Sequence, residues 1–166
     1  MNSAVEAYVG IGANLGNAVQ SVEQAILAIS ALPHTRCCAR SSLFSSAPVD
    51  AQGNDFINAV VRLSTRLDAE ELLRQLQAIE LAFGRERPFR HAPRTLDLDL
   101  LLIGQTKMLS DTLELPHPRM TQRAFVLKPL LEIDADITIP GMGPAASYLP
   151  GVASQIITQL PDTRAS

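Results

Sequence analysis

Hydrophobic and polar positions alternate along this chain in blocks that predict a short series of strands and helices. Glu6 to Gly12 (EAYVGIG) is apolar with small residues at its end and reads as a first strand. From Asn17 to Leu32 the apolar residues Val19, Val22, Ile26 and Ile29 recur at helical spacing, which predicts an amphipathic helix stopped near Pro33. Arg36 to Ser45 predicts a second strand, and a loop with Pro48, Gly53 and Asn54 follows. Phe56 to Thr65 (FINAVVRLST) is rich in β-branched residues and predicts a third strand. Asp68 stands at an N-cap position with Glu71 as its capping-box partner. Leu72, Leu76, Ile79 and Phe83 then form one helical stripe that Gly84 ends. Leu96 to Ile103 predicts a fourth strand, and the tail is expected to be irregular with a further helix near Pro150 to Leu160. The order β-α-β-β-α-β predicts an α+β fold of ferredoxin-like type, with an antiparallel sheet and additional C-terminal elements.

Composition narrows the class without choosing a function. A chain of 166 residues, 46% hydrophobic and 19% charged, is expected to form one globular domain spanning 1–166. A net charge of −3 argues against general nucleic-acid binding. The start MNSAVEAYVG has no basic, apolar-cored leader, and no stretch approaches the roughly 20 apolar residues of a membrane span. Cys37 and Cys38 are adjacent and are the only cysteines, too few for a disulfide framework or a zinc site. A reduced, cytoplasmic protein is therefore expected, acting as a monomer.

Two familiar nucleotide motifs fail on inspection. In GIGANLG the dinucleotide fingerprint requires its third glycine at position 15, which is Leu15; Gly16 comes one place late. Gly10 and Gly12 are better read as sites of close packing, and Gly16 as part of the turn into the helix. No Walker-type glycine-lysine motif occurs either.

The densest chemistry lies in RPFRHAPRTLDLDLLLIG, Arg87 to Gly104. Residues two apart on a strand project to one face, their α-carbons roughly 6.6 Å apart. Asp97 and Asp99 therefore point together, while Leu96, Leu98 and Leu100 face the core. Converging carboxylates repel unless a cation sits between them, and an all-oxygen donor set favours Mg²⁺ or Mn²⁺. Two such ions about 3.5–4 Å apart could bridge the pair, as in many phosphoryl-transfer sites. Arg85, Arg87, Arg90 and Arg94 are fixed cations suited to phosphate oxygens. His117, Arg119, Arg123 and Lys128 form a second basic group. These two stretches hold seven of the chain's 14 lysines and arginines, which points to a localised anion site in an acidic protein. The residues alone leave other readings open. The aspartates and arginines could form a solvated ion-pair network, and His117, between Pro116 and Pro118, could be a turn residue. Gln77 and Glu80 could be solvated, and Phe56 and Phe125 could be core.

With IELAFGRER before it and LELPHPRMTQRAFVLKPLLEI after it, PRTLDLDLLLIG resembles the 6-hydroxymethyl-7,8-dihydropterin pyrophosphokinases of folate biosynthesis. The segments YVGIGANLGN and SAPVD…QGNDFINAVV fit the same pattern in the same order, so the resemblance runs from about Tyr8 to Pro140. It implies an enzyme that transfers a pyrophosphoryl unit from ATP to the hydroxymethyl oxygen of 6-hydroxymethyl-7,8-dihydropterin, releasing AMP. By the resemblance Asp97 and Asp99 are ligands of two Mg²⁺ ions, and Arg85 and Arg94 engage the polyphosphate as catalytic residues. ATP binding also falls to Gln77, Arg87, Leu100, His117 and Arg123. Phe56 and Phe125 sandwich the pterin ring, Asn58 bonds its polar edge, and Pro48 and Val49 line the pocket. Glu80 falls near the substrate and metals. His91 and Ala92 stand where the family carries a tryptophan and a glycine, in a loop one residue short. Thr112 replaces an arginine that some members carry. Two other classes fit parts of the pattern. A ligand-sensing domain would bind without making AMP. A nucleotidyltransferase would release pyrophosphate and usually carries a glycine-serine motif ahead of its carboxylates, which this chain lacks.

Overall fold

The computed structural model describes residues 3–14, 17–47, 55–84 and 96–161. Its elements in chain order are β1 (Val5–Ala13), α1 (Ala18–Ser30), β2 (Thr35–Arg40), β3 (Phe44–Ser46), β4 (Phe56–Thr65), α2 (Ala69–Gly84) and β5 (Asp97–Ile103). They continue with β6 (Met108–Leu109), β7 (Glu114–Leu115), a 3-10 turn at Met120–Gln122, α3 (Ala124–Ile133), β8 (Thr138–Ile139) and β9 (Gly143–Pro144). A 3-10 helix at Ala145–Val152 and β10 (Ile157–Gln159) end the described chain. The main sheet runs β10-β3-β4-β1-β5, with β2 also paired to β4, and every pairing is antiparallel. This is the α+β, ferredoxin-like arrangement that the periodicity predicts.

The predicted helices form with their caps in place. Asn17 accepts from the Gln20 N–H at 3.1 Å to open α1, whose inward stripe is Val22, Ala25, Ile26 and Ile29. Val19, assigned to that stripe from spacing, lies in the first turn and is exposed. Asp68 caps α2 through the Glu71 N–H at 2.8 Å. The capping box is only half made, because the Glu71 carboxylate bonds Arg74 and Gln75 instead.

Two predicted segments need correction. The single strand expected over Arg36–Ser45 is broken between β2 and β3. Buried Ser41 interrupts the regular ladder: its N–H donates to the Val60 carbonyl and its Oγ accepts from the Val60 N–H, both at 2.9 Å. The helix expected near Pro150–Leu160 is instead the 3-10 helix at Ala145–Val152 followed by β10 on the edge of the sheet. The substantial helix of the C-terminal part is α3, which the periodicity did not reveal.

The sheet is packed on both faces. α1 and α2 cover Ala7, Val9, Ile11, Val61, Leu63, Leu98 and Leu100. α3 and the 3-10 helices cover Tyr8, Val60, Leu101 and Leu102. Alternation sends Leu96, Leu98 and Leu100 into the first layer, as predicted, and leaves Asp97 and Asp99 half-exposed beyond the cover of α3. Among the described residues no helix is long and apolar enough to cross a membrane, and Cys37 and Cys38 are free thiols.

Candidate active site

The face of the sheet that carries α3 changes character along its strands. At one end it is apolar, with Tyr8, Val60 and Leu101 under α3. At the other it is polar and open. Register explains how: Gly12 pairs with Asn58 on one side and Asp97 on the other, and Gly10 pairs with Val60 and Asp99. Between the two functional side chains of the first row, β1 therefore places no side chain. An alanine Cβ at Gly12 would lie 3.2 Å from Asn58 Oδ1, so the missing methyl keeps this floor low. At Gly10 a Cβ would make ordinary contact with Leu101 at 3.6 Å. Gly16 lies outside the described residues.

Above that floor lies a cavity of about 220 Å³ lined by Phe56, Asn58, Asp97, Asp99, Arg123 and Phe125, with Gly10, Gly12 and Ser46 beneath and beside them. Phe56 and Asn58 come from the start of β4, the aspartates from β5, and Phe125 from the first turn of α3. Asn58 is buried, and its Nδ2 donates to Ser46 Oγ at 2.7 Å. That bond orients the amide before anything binds, with Oδ1 against Gly12. A flat heterocycle would meet two aromatic walls and a preset amide here.

Basic groups approach Asp99 without locking it. His117 Nε2 is 4.0 Å from Asp99 Oδ1, and Arg123 Nη1 is 3.9 Å from Asp99 Oδ2. Both distances exceed hydrogen-bond length, so Asp99 keeps acceptor capacity for another partner. The Arg123 guanidinium also lies 5.4 Å from the centre of the Phe125 ring, a cation–π contact. His117 Nδ1 accepts from the Arg119 N–H at 3.2 Å, which assigns the proton of the neutral ring to Nε2, toward Asp99. Burial pushes the His117 pKa below its usual value; Asp99 opposes this, while Arg123 and Arg119 reinforce it. Burial therefore favours the neutral imidazole, with its Nε2–H as donor. Its backbone N–H donates to the Leu101 carbonyl at 3.0 Å, fixing this loop to β5.

Glu80 has a role that sequence reasoning did not assign. Its Oε2 accepts from the Leu98 N–H at 2.7 Å, bracing β5 between the two aspartates from α2. Ser46, which orients Asn58, was likewise not anticipated; strand alternation gave no signal for it, whereas it does put Phe56, Asn58 and Val60 on one face. Leu100 is buried beneath the sheet, so only its main chain could touch a ligand. Gln77 is exposed on α2 and is not among the residues lining the cavity. Lys128 is exposed on α3, and Arg119 lines a neighbouring hollow of about 660 Å³ with Gln122 and Gln155. Thr112 bonds the Glu70 carboxylate at 3.1 Å. Pro48, Val49, Arg85, Arg87, Arg90, His91, Ala92 and Arg94 lie outside the described residues.

The donor set suits a hard cation. Asp97 and Asp99 share the cavity, and among the described residues no group of three or more histidine, cysteine or acidic side chains could hold a metal by itself. Mg²⁺ is typically held by one or two carboxylates, with water and substrate phosphates completing its shell.

The 7,8-dihydro-6-hydroxymethylpterin-pyrophosphokinase (HPPK) family profile matches residues 8–135. A Haemophilus influenzae 2-amino-4-hydroxy-6-hydroxymethyldihydropteridine pyrophosphokinase is 39% identical over 157 residues, covering 94% of this chain and 91% of the relative. The Pseudomonas aeruginosa protein of the same name is 43% identical over 134 residues, covering 80% and 83%. Among solved structures, a Plasmodium falciparum HPPK-DHPS triple mutant superposes with a TM-score of 0.73 at 14% identity, over 90% of this chain. The wild-type HPPK-DHPS with pterin and p-hydroxybenzoate gives 0.70 at 13% identity, also over 90% of this chain. These two likenesses establish the fold, and this chain spans 44% and 43% of those chains. The sequence match over most of its length places this chain in the 7,8-dihydro-6-hydroxymethylpterin-pyrophosphokinase family.

Proposed function

We propose that this protein transfers the pyrophosphoryl group of ATP to the hydroxymethyl oxygen of 6-hydroxymethyl-7,8-dihydropterin, giving the pterin diphosphate and AMP for folate biosynthesis. The observation that carries the reading is that Phe56, Asn58 and Phe125 line the same cavity as Asp97 and Asp99. A slot for a planar ring thus opens directly onto paired carboxylates. The pterin would stack between Phe56 and Phe125, with its amide edge read by Asn58 in the orientation set by Ser46. Asp97 and Asp99 would hold Mg²⁺, two ions in this reading, which when bound neutralises polyphosphate charge. Arg123 and the neutral Nε2–H of His117 would face phosphate oxygens beside Asp99. Gln77, Arg85, Arg87, Arg94 and the Leu100 main chain complete the ATP side in this proposal, and Pro48 and Val49 the pterin side.

Catalysis then rests on alignment. The hydroxymethyl oxygen attacks the β-phosphorus, the bond from that phosphorus to the bridging oxygen of the α-phosphate breaks, and AMP leaves; the hydroxyl proton is released. No covalent protein nucleophile is required. We further propose that residues 1–166 act as a single catalytic domain, as a cytoplasmic monomer with no nucleic-acid or membrane partner.

Product analysis tests the reaction. Purified protein with ATP, Mg²⁺ and the reduced pterin is expected to give AMP and pterin diphosphate in equal amounts. Pterin-dependent ADP would reject β-attack, and tight pterin binding without turnover would favour a binding protein.

A further inference from the structure

We propose that Gln155, beyond the family match at residues 8–135, is a positioning residue for the transfer site and acts through Arg123. The proposal rests on the reading of the cavity given above. Arg123 has an extended backbone (φ −128°, ψ 116°) and is the N-cap of α3, yet its side chain makes no capping bond. The first helical N–H, on buried Ala124, therefore needs another acceptor. Gln155 Oε1 provides it at 2.8 Å, while Gln155 Nε2 donates to the Gln122 carbonyl, also at 2.8 Å. One amide thus brackets Arg123 on both sides, as a paired strand would. Gln155 is exposed, so this side chain does not serve to fill the core.

The clamp is itself anchored. The Gln155 N–H donates to the Val152 carbonyl at 3.0 Å, and two residues later Ile157 pairs with Ser46 in β3. Ser46 accepts from Asn58. The tail therefore ties the start of α3, with Arg123 and Phe125, to the strand that orients the pterin-facing amide. Loss of the clamp releases the peptide groups on either side of Arg123, leaving its carbonyl held by the Val126 and Leu127 N–H groups, and the guanidinium is expected to leave its place between Asp99 and the Phe125 ring.

A double-mutant cycle reads this coupling. Gln155→Ala is expected to lower kcat/KM for the pterin about tenfold in the wild-type background and less than twofold in Arg123→Ala. Equal losses in both backgrounds, or no loss in the wild type, would overturn the proposal. Gln155→Glu, which keeps the acceptor but lacks the donor, is expected to fall between wild type and alanine. The Arg123 Nε–H resonance in ¹⁵N-labelled protein gives a second arm that does not depend on activity. It is expected to shift in Gln155→Ala while amides late in α3, such as Leu131, stay in place. An unmoved Arg123 resonance rejects the positioning role even if the wild-type protein shows no turnover, whereas absent wild-type turnover alone rejects the reaction.

Discussion

The same three strands build two unlike halves on one face of the sheet. Under α3, Tyr8, Val60, Leu101 and Leu102 are closed off with Leu127 and Leu130 in one buried cluster. A few residues along, Gly12, Asn58, Asp97 and Asp99 leave a cavity open beside the start of the helix. The covered half satisfies its groups internally, as when the Tyr8 hydroxyl donates to Asp134 at 2.7 Å. In the open half His117 and Arg123 stand about 4 Å from Asp99, beyond hydrogen-bond length. One half is organised to persist and the other to receive. Substitutions should therefore separate stability from activity according to the half they strike.

The largest expected effect is on activity. Asp97→Ala and Asp99→Ala should each cut pterin-dependent AMP formation by on the order of a hundredfold to a thousandfold. Their thermal midpoints should hold within a few degrees, because both side chains are half-exposed and fill no part of the core. Near-normal turnover in both would break the assignment of this half. The complementary substitution is Leu130→Ala, a fully buried side chain in the covered half. It should cost about 2–5 kcal/mol of stability, read by denaturant unfolding, with kcat little changed in the remaining folded protein.

Phe125 stands at the boundary of the two halves. Phe125→Ala should weaken pterin binding about tenfold by titration while leaving ATP binding close to wild type. Unchanged pterin affinity would remove the ring slot from the account. The smallest expected effect is that of Tyr8→Phe, about 1 kcal/mol of stability with no change in pterin affinity. Burial, the hydrogen bond to Asp134 and that residue's charge raise the Tyr8 pKa above the ordinary phenol value. A raised folded pKa means its contribution is complete below about pH 10 and is lost as pH rises through the folded value. The stability gap between wild type and Tyr8→Phe should accordingly narrow in alkaline solution.

Legibility in the sequence also differs between the halves. The open half contains Asp97 and Asp99 on an alternating strand, and period-2 spacing alone put both on one face and the leucines on the other. Phe56 and Asn58 follow the same logic on β4. That Phe125 would close over them came only from family resemblance, because no local spacing relates position 125 to position 56. The covered half was harder to read. In α3, the run AFVLKPLLEI is apolar on nearly all sides and contains Pro129, so it lacks the polar face that betrays a surface helix. The break after Arg40 was hidden because Ser41 replaces ladder bonds with its hydroxyl, a substitution that propensity does not register. The tail strand β10 has three residues and pairs with β3, too short for alternation to show.

The division of labour is tested most directly by titrating 6-hydroxymethyl-7,8-dihydropterin into wild type, Asp99→Ala and Phe125→Ala, each with and without Mg²⁺ and an α,β-methylene analogue of ATP. That analogue lacks the bridging oxygen whose bond must break, so the bound state holds without turnover. The account predicts that Asp99→Ala binds pterin alone like wild type but gains little when the nucleotide is added, whereas Phe125→Ala is weaker under both conditions. Equal pterin losses in the two variants without nucleotide would contradict it, because ring and phosphates would then not be held by separate ends of the cavity.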